Sequence, residues 1–212
     1  MKTPVPHRLK PRKKPTQARS GATVEAIHTA TIQVLLADGL TRLTTTRVAE
    51  RAGVSVGTLY QYFPNKEALL YAILLNHFED VAKAFESIAI GAPKAPLDEL
   101  AGNLVNAYVR VKTANPDLTA ALYRVAGAID QVRLSKDIYK RLQDAVVRLL
   151  ENASDASFDD PSRVAFTLLS ALAGLSRGSF GKMAVDNSPL ERLGEESLLL
   201  AQAYLSVTAK RI

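Results

Sequence analysis

Leu43-Thr44-Thr45-Thr46-Arg47-Val48-Ala49-Glu50-Arg51-Ala52-Gly53-Val54-Ser55-Val56-Gly57-Thr58-Leu59-Tyr60-Gln61-Tyr62-Phe63-Pro64-Asn65-Lys66-Glu67-Ala68-Leu69-Leu70 reads as two short helices joined at Gly53, a stop at Pro64 and a new helix from Lys66. That layout is a helix-turn-helix, a unit that offers its second helix to the major groove of DNA. The threonine run opens the first helix with a hydroxyl for the orphan amide hydrogens of its first turn. Ala49 is small where the second helix must cross closely. Gly53 supplies the left-handed conformation of a tight turn. Val54 and Leu59 are apolar where the helices seal together, and Ser55 is a natural N-cap. Val56, Gly57 and Thr58 then form the exposed first turn of the second helix.

From about Thr23 to Leu75 the chain resembles the tetracycline-repressor (TetR) family of transcription regulators. The resemblance is carried by Ala49, Ala52-Gly53-Val54-Ser55, Gly57-Thr58-Leu59-Tyr60, Tyr62-Phe63 and Asn65-Lys66-Glu67. It implies DNA contacts from Thr45, Thr46 and Arg47, from Ser55, Val56, Gly57, Thr58, Tyr60, Gln61 and Tyr62, and from Lys66. Val56 and Gly57 carry no hydrogen-bonding side chain, which leaves thymine-methyl contact and close backbone approach as their roles.

The net charge of +6 is unevenly placed. Residues 1–20 hold Lys2, Arg8, Lys10, Arg12, Lys13, Lys14 and Arg19, with no acidic residue and four prolines. Such a segment reads as a disordered basic arm that can track phosphates or enter a minor groove, Arg19 lying nearest the fold. A solvated tail is the alternative reading. No cysteine is present, so neither a disulfide nor a thiolate metal site is available. No apolar run reaches the roughly 18 residues of a membrane span, and a soluble cytoplasmic protein is the simplest expectation.

The fold class expected is all-α. Residues 21–65 form a three-helix DNA-binding domain, and residues 66–212 form a helical ligand-binding and dimerisation domain. The first helix is predicted over Thr23–Ala37, ending at Asp38-Gly39, and the fourth over Lys66–Ile88. Further helices carry Leu97, Leu100, Ala101, Leu104, Tyr108 and Val111; Leu118, Ala121, Leu122, Val125 and Ile129; and Ile138, Leu142, Val146 and Leu149 on one face each. Val164–Phe180 and Leu190–Val207 differ, being apolar around most of their circumference. Helices of that kind need burial on several faces. Small residues Ser170, Ala171, Ala173 and Gly174 suit close helix approach, and a four-helix homodimer interface is expected, as the resemblance also implies.

Dimerisation alone needs far fewer residues than remain, which invites a second role, and the resemblance implies a small-molecule effector site in the second domain. Phe85, Tyr108, Tyr123, Arg124, Phe166, Phe180 and Met183 are its candidate lining. His7, His28 and His77 are scattered without metal-ligand spacing, and Gly174, Gly178 and Gly181 lack the preceding strand of a phosphate loop. No cofactor and no catalysis are expected. The leading reading is a ligand-responsive DNA-binding dimer, probed against an architectural DNA-binding protein without ligand control.

Overall fold

The computed structural model describes residues 18–90, 93–128, 136–180 and 188–212. Its chain packs as two compact units, residues 1–77 with 117–136, and residues 78–116 with 137–212. The first holds α1 (Ala18–Arg42), α2 (Thr45–Ala52), α3 (Val56–Tyr62), the first half of α4 (Lys66–Ala89) and nearly all of α6 (Pro116–Ala128). The second holds the rest of α4, α5 (Leu97–Thr113), α7 (Lys136–Glu151), α8 (Pro161–Phe180), α9 (Ser188–Glu191) and α10 (Leu193–Thr208).

The first unit closes on Ile27, Ala30, Val34 and Leu35 of α1, Val48 and Ala49 of α2, Leu59 and Phe63, and Ala68, Leu69, Leu70 and Ala72 of α4. Ala121 and Val125 of α6 join the same core. That allegiance departs from the expected division at residues 65 and 66, because an apolar stripe shows which face of a helix is buried but not which neighbour buries it. The first helix also starts earlier than expected, at Ala18, so Arg19 lies in a helical turn and not in the basic arm. Residues 1–17 lie outside the described residues. At the other end, Gly39 adopts φ 75° and interrupts α1 where Asp38-Gly39 is expected to end it.

In the second unit the stripes on α5 and α7 point inward as expected, with Leu97, Leu100, Ala101, Leu104, Tyr108, Ile138, Leu142, Val146 and Leu149 all buried. Helix α10 packs against α5 and α8. The last expected helix is broken: a single turn over Ser188–Glu191 precedes α10, with Arg192 between them. Arg141 of α7 donates to both oxygens of Glu86 at 2.8 and 2.9 Å, and to Glu79 at 2.8 Å, fastening α7 to α4.

A short two-stranded sheet stands apart from the all-α expectation. Ala156–Ser157 (β1) pairs antiparallel with Lys210–Arg211 (β2). Two-residue strands carry no readable alternation, and side chains fix this one. Asp155 accepts the Leu97 N–H at 2.8 Å, from the first turn of α5, and the Arg211 guanidinium at 2.7 Å. Its carbonyl accepts the Ile212 N–H at 3.1 Å. Pro96, at the N-cap of α5, offers no side-chain acceptor, so a carboxylate 58 residues away takes one of the orphan donors. Losing such a cap costs about 1 kcal/mol. Asp155→Ala is therefore expected to lower stability by about that amount in urea melts. Asp155→Asn keeps an acceptor for Leu97 and should recover most of it. Equal losses for the two variants would assign the effect to the exposed ion pair instead.

Candidate DNA interface and effector-binding interior

Both caps of the helix-turn-helix form as the sequence requires. The Thr44 hydroxyl accepts the Arg47 N–H at 3.3 Å, and the Ser55 hydroxyl accepts the Thr58 N–H at 2.9 Å. Gly53 sits at φ 67°, ψ 29°, in the left-handed region. Its N–H reaches the Glu50 carbonyl at 3.2 Å, while the Val54 N–H reaches that of Ala49 at 3.0 Å. These two bonds end α2 and aim α3 across it.

Each residue assigned to DNA by resemblance can now be placed. Thr46, Arg47, Ser55, Gly57, Tyr60 and Gln61 are exposed, and Thr45, Val56, Thr58, Tyr62 and Lys66 are half-buried. Val56 and Tyr62 pack against the core. The outward edge of α3 is thus Gly57, Tyr60 and Gln61, at helical spacing on one face. The Tyr60 hydroxyl meets Thr45 Oγ1 at 3.1 Å, joining α3 to the start of α2. Arg47 is held by Asp38 at 2.7 Å, and Lys66 Nζ donates to the Leu40 carbonyl at 2.9 Å. Their cations are positioned by the fold. The Asn65 carboxamide accepts the Ala68 N–H at 2.8 Å and starts α4 beside Lys66.

Behind α3, the His28 ring lies 5.5 Å from that of Phe63, and its Nδ1 meets the Asn76 side chain at 3.1 Å. Its Nε2 is buried without a hydrogen-bond partner among the described residues. Burial pushes the imidazole pKa below its ordinary 6.5, against a smaller opposing pull from Glu25.

The effector candidates divide between the two units. Phe85, Tyr108 and Phe180 are buried in the second, with the Phe85 and Tyr108 rings 6.2 Å apart. Tyr123 and Arg124 lie on α6, in the first unit, and Arg124 is exposed. Phe166 is 64% exposed and does not join the interior. It follows the buried Val164 by two residues, hence about 200° around α8. Met183 lies outside the described residues. Sequence reasoning missed Lys112, which is 4% exposed, with Nζ 5.6 Å from the Phe78 ring centroid and 5.5 Å from that of Tyr108. Burial pushes its pKa down to about 8. Its place four residues after Tyr108, on the apolar stripe of α5, was the available signal. The Tyr108 hydroxyl lies 2.8 Å from Ser176 Oγ and donates to the Leu172 carbonyl at 3.2 Å.

A capped helix-turn-helix with an exposed second helix, followed by a separately packed helical unit, defines a helix-turn-helix transcription regulator. Residues 27–73 match the model of the bacterial regulatory proteins of the tetR family, and residues 96–205 match that of the tetracyclin repressor-like C-terminal domain. The chain belongs to the TetR family. Its relatives are regulators and not enzymes. The transcriptional repressor KstR of Mycolicibacterium smegmatis is 36% identical over 113 residues, 49% of this chain and 53% of that protein. The match thus spans about half the length of the KstR relatives. The transcriptional regulator BetI of Burkholderia cenocepacia is 27% identical over 180 residues, 84% of this chain and 89% of BetI. Among solved structures, SmeT, the repressor of the Stenotrophomonas maltophilia multidrug efflux pump SmeDEF, superposes with a TM-score of 0.67 at 18% identity, covering 89% of this chain and 93% of that one. A SmeT–triclosan complex gives 0.63 at 21% identity, covering 86% and 90%. No helix among the described residues is long and apolar enough to cross a membrane.

Two consequences can be measured at this site. A Cβ added at Gly57 would meet only Ser55 Oγ, at 3.7 Å, which is ordinary contact. Gly57→Ala should therefore leave the melting temperature unchanged or raise it, since alanine is better in a helix by up to about 1 kcal/mol. Affinity for double-stranded DNA selected from a random library should nevertheless fall at least about tenfold. Unchanged affinity would remove Gly57 from the interface. For His28 the sign follows from its lowered folded pKa: the unfolded chain takes up the proton first. Stability attributable to the neutral ring is complete above pH 6.5 and declines as the pH falls below it. Urea melts should show a shallower acid-side decline for His28→Gln than for the parent, and parallel slopes would exclude the histidine.

Proposed function

We propose that the protein is a repressor that binds a palindromic operator as a homodimer and leaves it when a small-molecule effector enters the second unit. The observation that carries this reading is the unburied second face of α8 and α10. On α8, Phe166, Ser170, Ala173, Gly174 and Arg177 are exposed at helical spacing, and a Cβ at Gly174 would meet nothing. On α10, Leu199, Ala203 and Val207 recur every four residues, with Leu199 57% and Val207 85% exposed. Small residues beside large apolar ones suit a copy of the same pair of helices, in which bulk on one protomer seats over alanine and glycine on the other.

DNA recognition supplies the need for that second copy. One recognition helix reads a few base pairs, each good contact discriminating by about 1–3 kcal/mol. Two helices related by a two-fold axis square the selectivity and require a palindrome. Effector release follows from population shift: a ligand that prefers the spacing of the two recognition helices unsuited to DNA empties the operator. The triclosan complex of SmeT shows a small molecule bound to a protein of this fold. Such a regulator works where DNA is, in the cytoplasm.

The test starts with DNA enriched from a random library, followed by native mass spectrometry of the complex. Selected sequences should be palindromic and carry two subunits per site. Leu199→Arg places a charge on the proposed dimer face and should give a folded monomer by light scattering, with operator affinity reduced at least about hundredfold. A dimer that persists in this variant, with full DNA affinity, would exclude the α8–α10 face.

A further inference from the structure

We propose that Asp38 is a positioning residue for DNA binding: its carboxylate holds the Arg47 guanidinium in the orientation in which it meets a phosphate. This rests on the assignment of Arg47 to the DNA interface, and it adds a residue that the assignment does not include.

Arg47 and Lys66 are the two cations among the residues assigned to DNA. Both are held from one short segment at the end of α1. Asp38 Oδ2 accepts from Arg47 Nη1 at 2.7 Å, and two residues on the Leu40 carbonyl accepts from Lys66 Nζ at 2.9 Å. Gly39, between them, takes φ 75°, ψ 172° and breaks the helix, a conformation that a residue with a Cβ would hold only under strain. Across that break, a side chain and a carbonyl two positions apart reach the first turns of two different helices, α2 and α4.

The carboxylate does not serve α1. Asp38 is the last residue before the break, at a helix end where the macrodipole is negative and a carboxylate is disfavoured. Nor does the pair consume the guanidinium. The contact to Nη1 leaves Nε and Nη2 of the fork without a partner among the described residues, and 48% of the Arg47 side chain is exposed. An arginine loses rotamer freedom when it docks on a phosphate, and one that is already held loses less. The neighbouring bridge supplies the contrast. Arg51, one turn along α2, donates to the neutral Gln33 at 2.8 Å and is not among the residues assigned to DNA.

Full-length variants would be compared by fluorescence anisotropy on double-stranded DNA that the parent selects from a random library. Asp38→Ala and Asp38→Asn both remove the negative charge, and asparagine alone keeps an oxygen that accepts from Arg47. Asp38→Ala should weaken binding at least about fivefold, and Asp38→Asn less than about twofold. In an Arg47→Gln background, Asp38→Ala should cause no further loss, as coupling through one partner requires. Gln33→Ala, which frees Arg51, should bind as the parent does. Thermal melts establish that each variant is folded. Equal losses for Asp38→Ala and Asp38→Asn, tighter binding by both, or a loss that persists without Arg47 would each overturn the proposal. A comparable loss for Gln33→Ala makes the effect one of α1–α2 packing and overturns it too. Full affinity in Arg47→Gln defeats the assignment of Arg47 to DNA and the proposal with it. Loss there, with Asp38→Ala at parent affinity, defeats the positioning role alone.

Discussion

Everything the chain can do at DNA depends on one left-handed residue. At Gly53 the backbone reverses, its N–H and that of Val54 return to the Glu50 and Ala49 carbonyls, and α3 is thrown across α2 over the small side chain of Ala49. A residue with a Cβ would carry the left-handed penalty of about 1–2 kcal/mol. The turn would then be paid for by the packing it directs. That packing is tight: Val48, Ala49, Leu59 and Phe63 are all at most 1% exposed. With its inner face committed so fully, α3 can show solvent only its Gly57, Tyr60 and Gln61 edge. The exposed edge of α3 is what remains when the core has taken its share.

The same logic sets how much was readable in advance. Caps, the glycine turn and the Pro64 stop are local devices, and each is visible as a residue type at a fixed offset. The α2–α3 unit therefore follows from its own residues. Allegiance between helices is not local. The stripe Leu118, Ala121, Leu122 and Val125 predicts a buried face on α6, but only the folded chain shows Ala121 and Val125 meeting the core of the DNA-binding unit. Phe166 illustrates the opposite error. On a helix apolar around its whole circumference, an aromatic ring gives no indication of which face it occupies, and this one lies on the exposed side. Lys112 was overlooked because lysine is normally solvated; its neighbours at helical spacing, Tyr108 and Leu104, carried the better information.

Among the described residues, the two exposed apolar stripes and the one buried cation are exceptions of opposite sign to the usual partition of side chains. Phe166, Leu199 and Val207 leave hydrocarbon in water, and Lys112 leaves a charge out of it. The exposed hydrocarbon is unfavourable for a lone chain, and the second copy of the chain proposed above would relieve it. Cost in the free state is what gives a partner its leverage, because the gain on binding is measured from that state.

Helix α4 contributes residues to both units. Phe78 and Phe85 are seven residues apart, two turns, and face Lys112 and Tyr108 of α5. Glu79 and Glu86 repeat the same interval one position on, and both are gripped by Arg141 of α7. The guanidinium lowers the Glu86 pKa and has its own raised in return, so the clamp stays ionised across the physiological range. The outer half of α4 is thereby fixed between two neighbours, aromatic on one side and ionic on the other. Its other end begins at Asn65 and Lys66, where the Lys66 ammonium holds the Leu40 carbonyl near the end of α1. The same helix thus supplies the core of the first unit through Ala68, Leu69, Leu70 and Ala72, and the aromatic and ionic contacts of the second through Phe78, Glu79, Phe85 and Glu86.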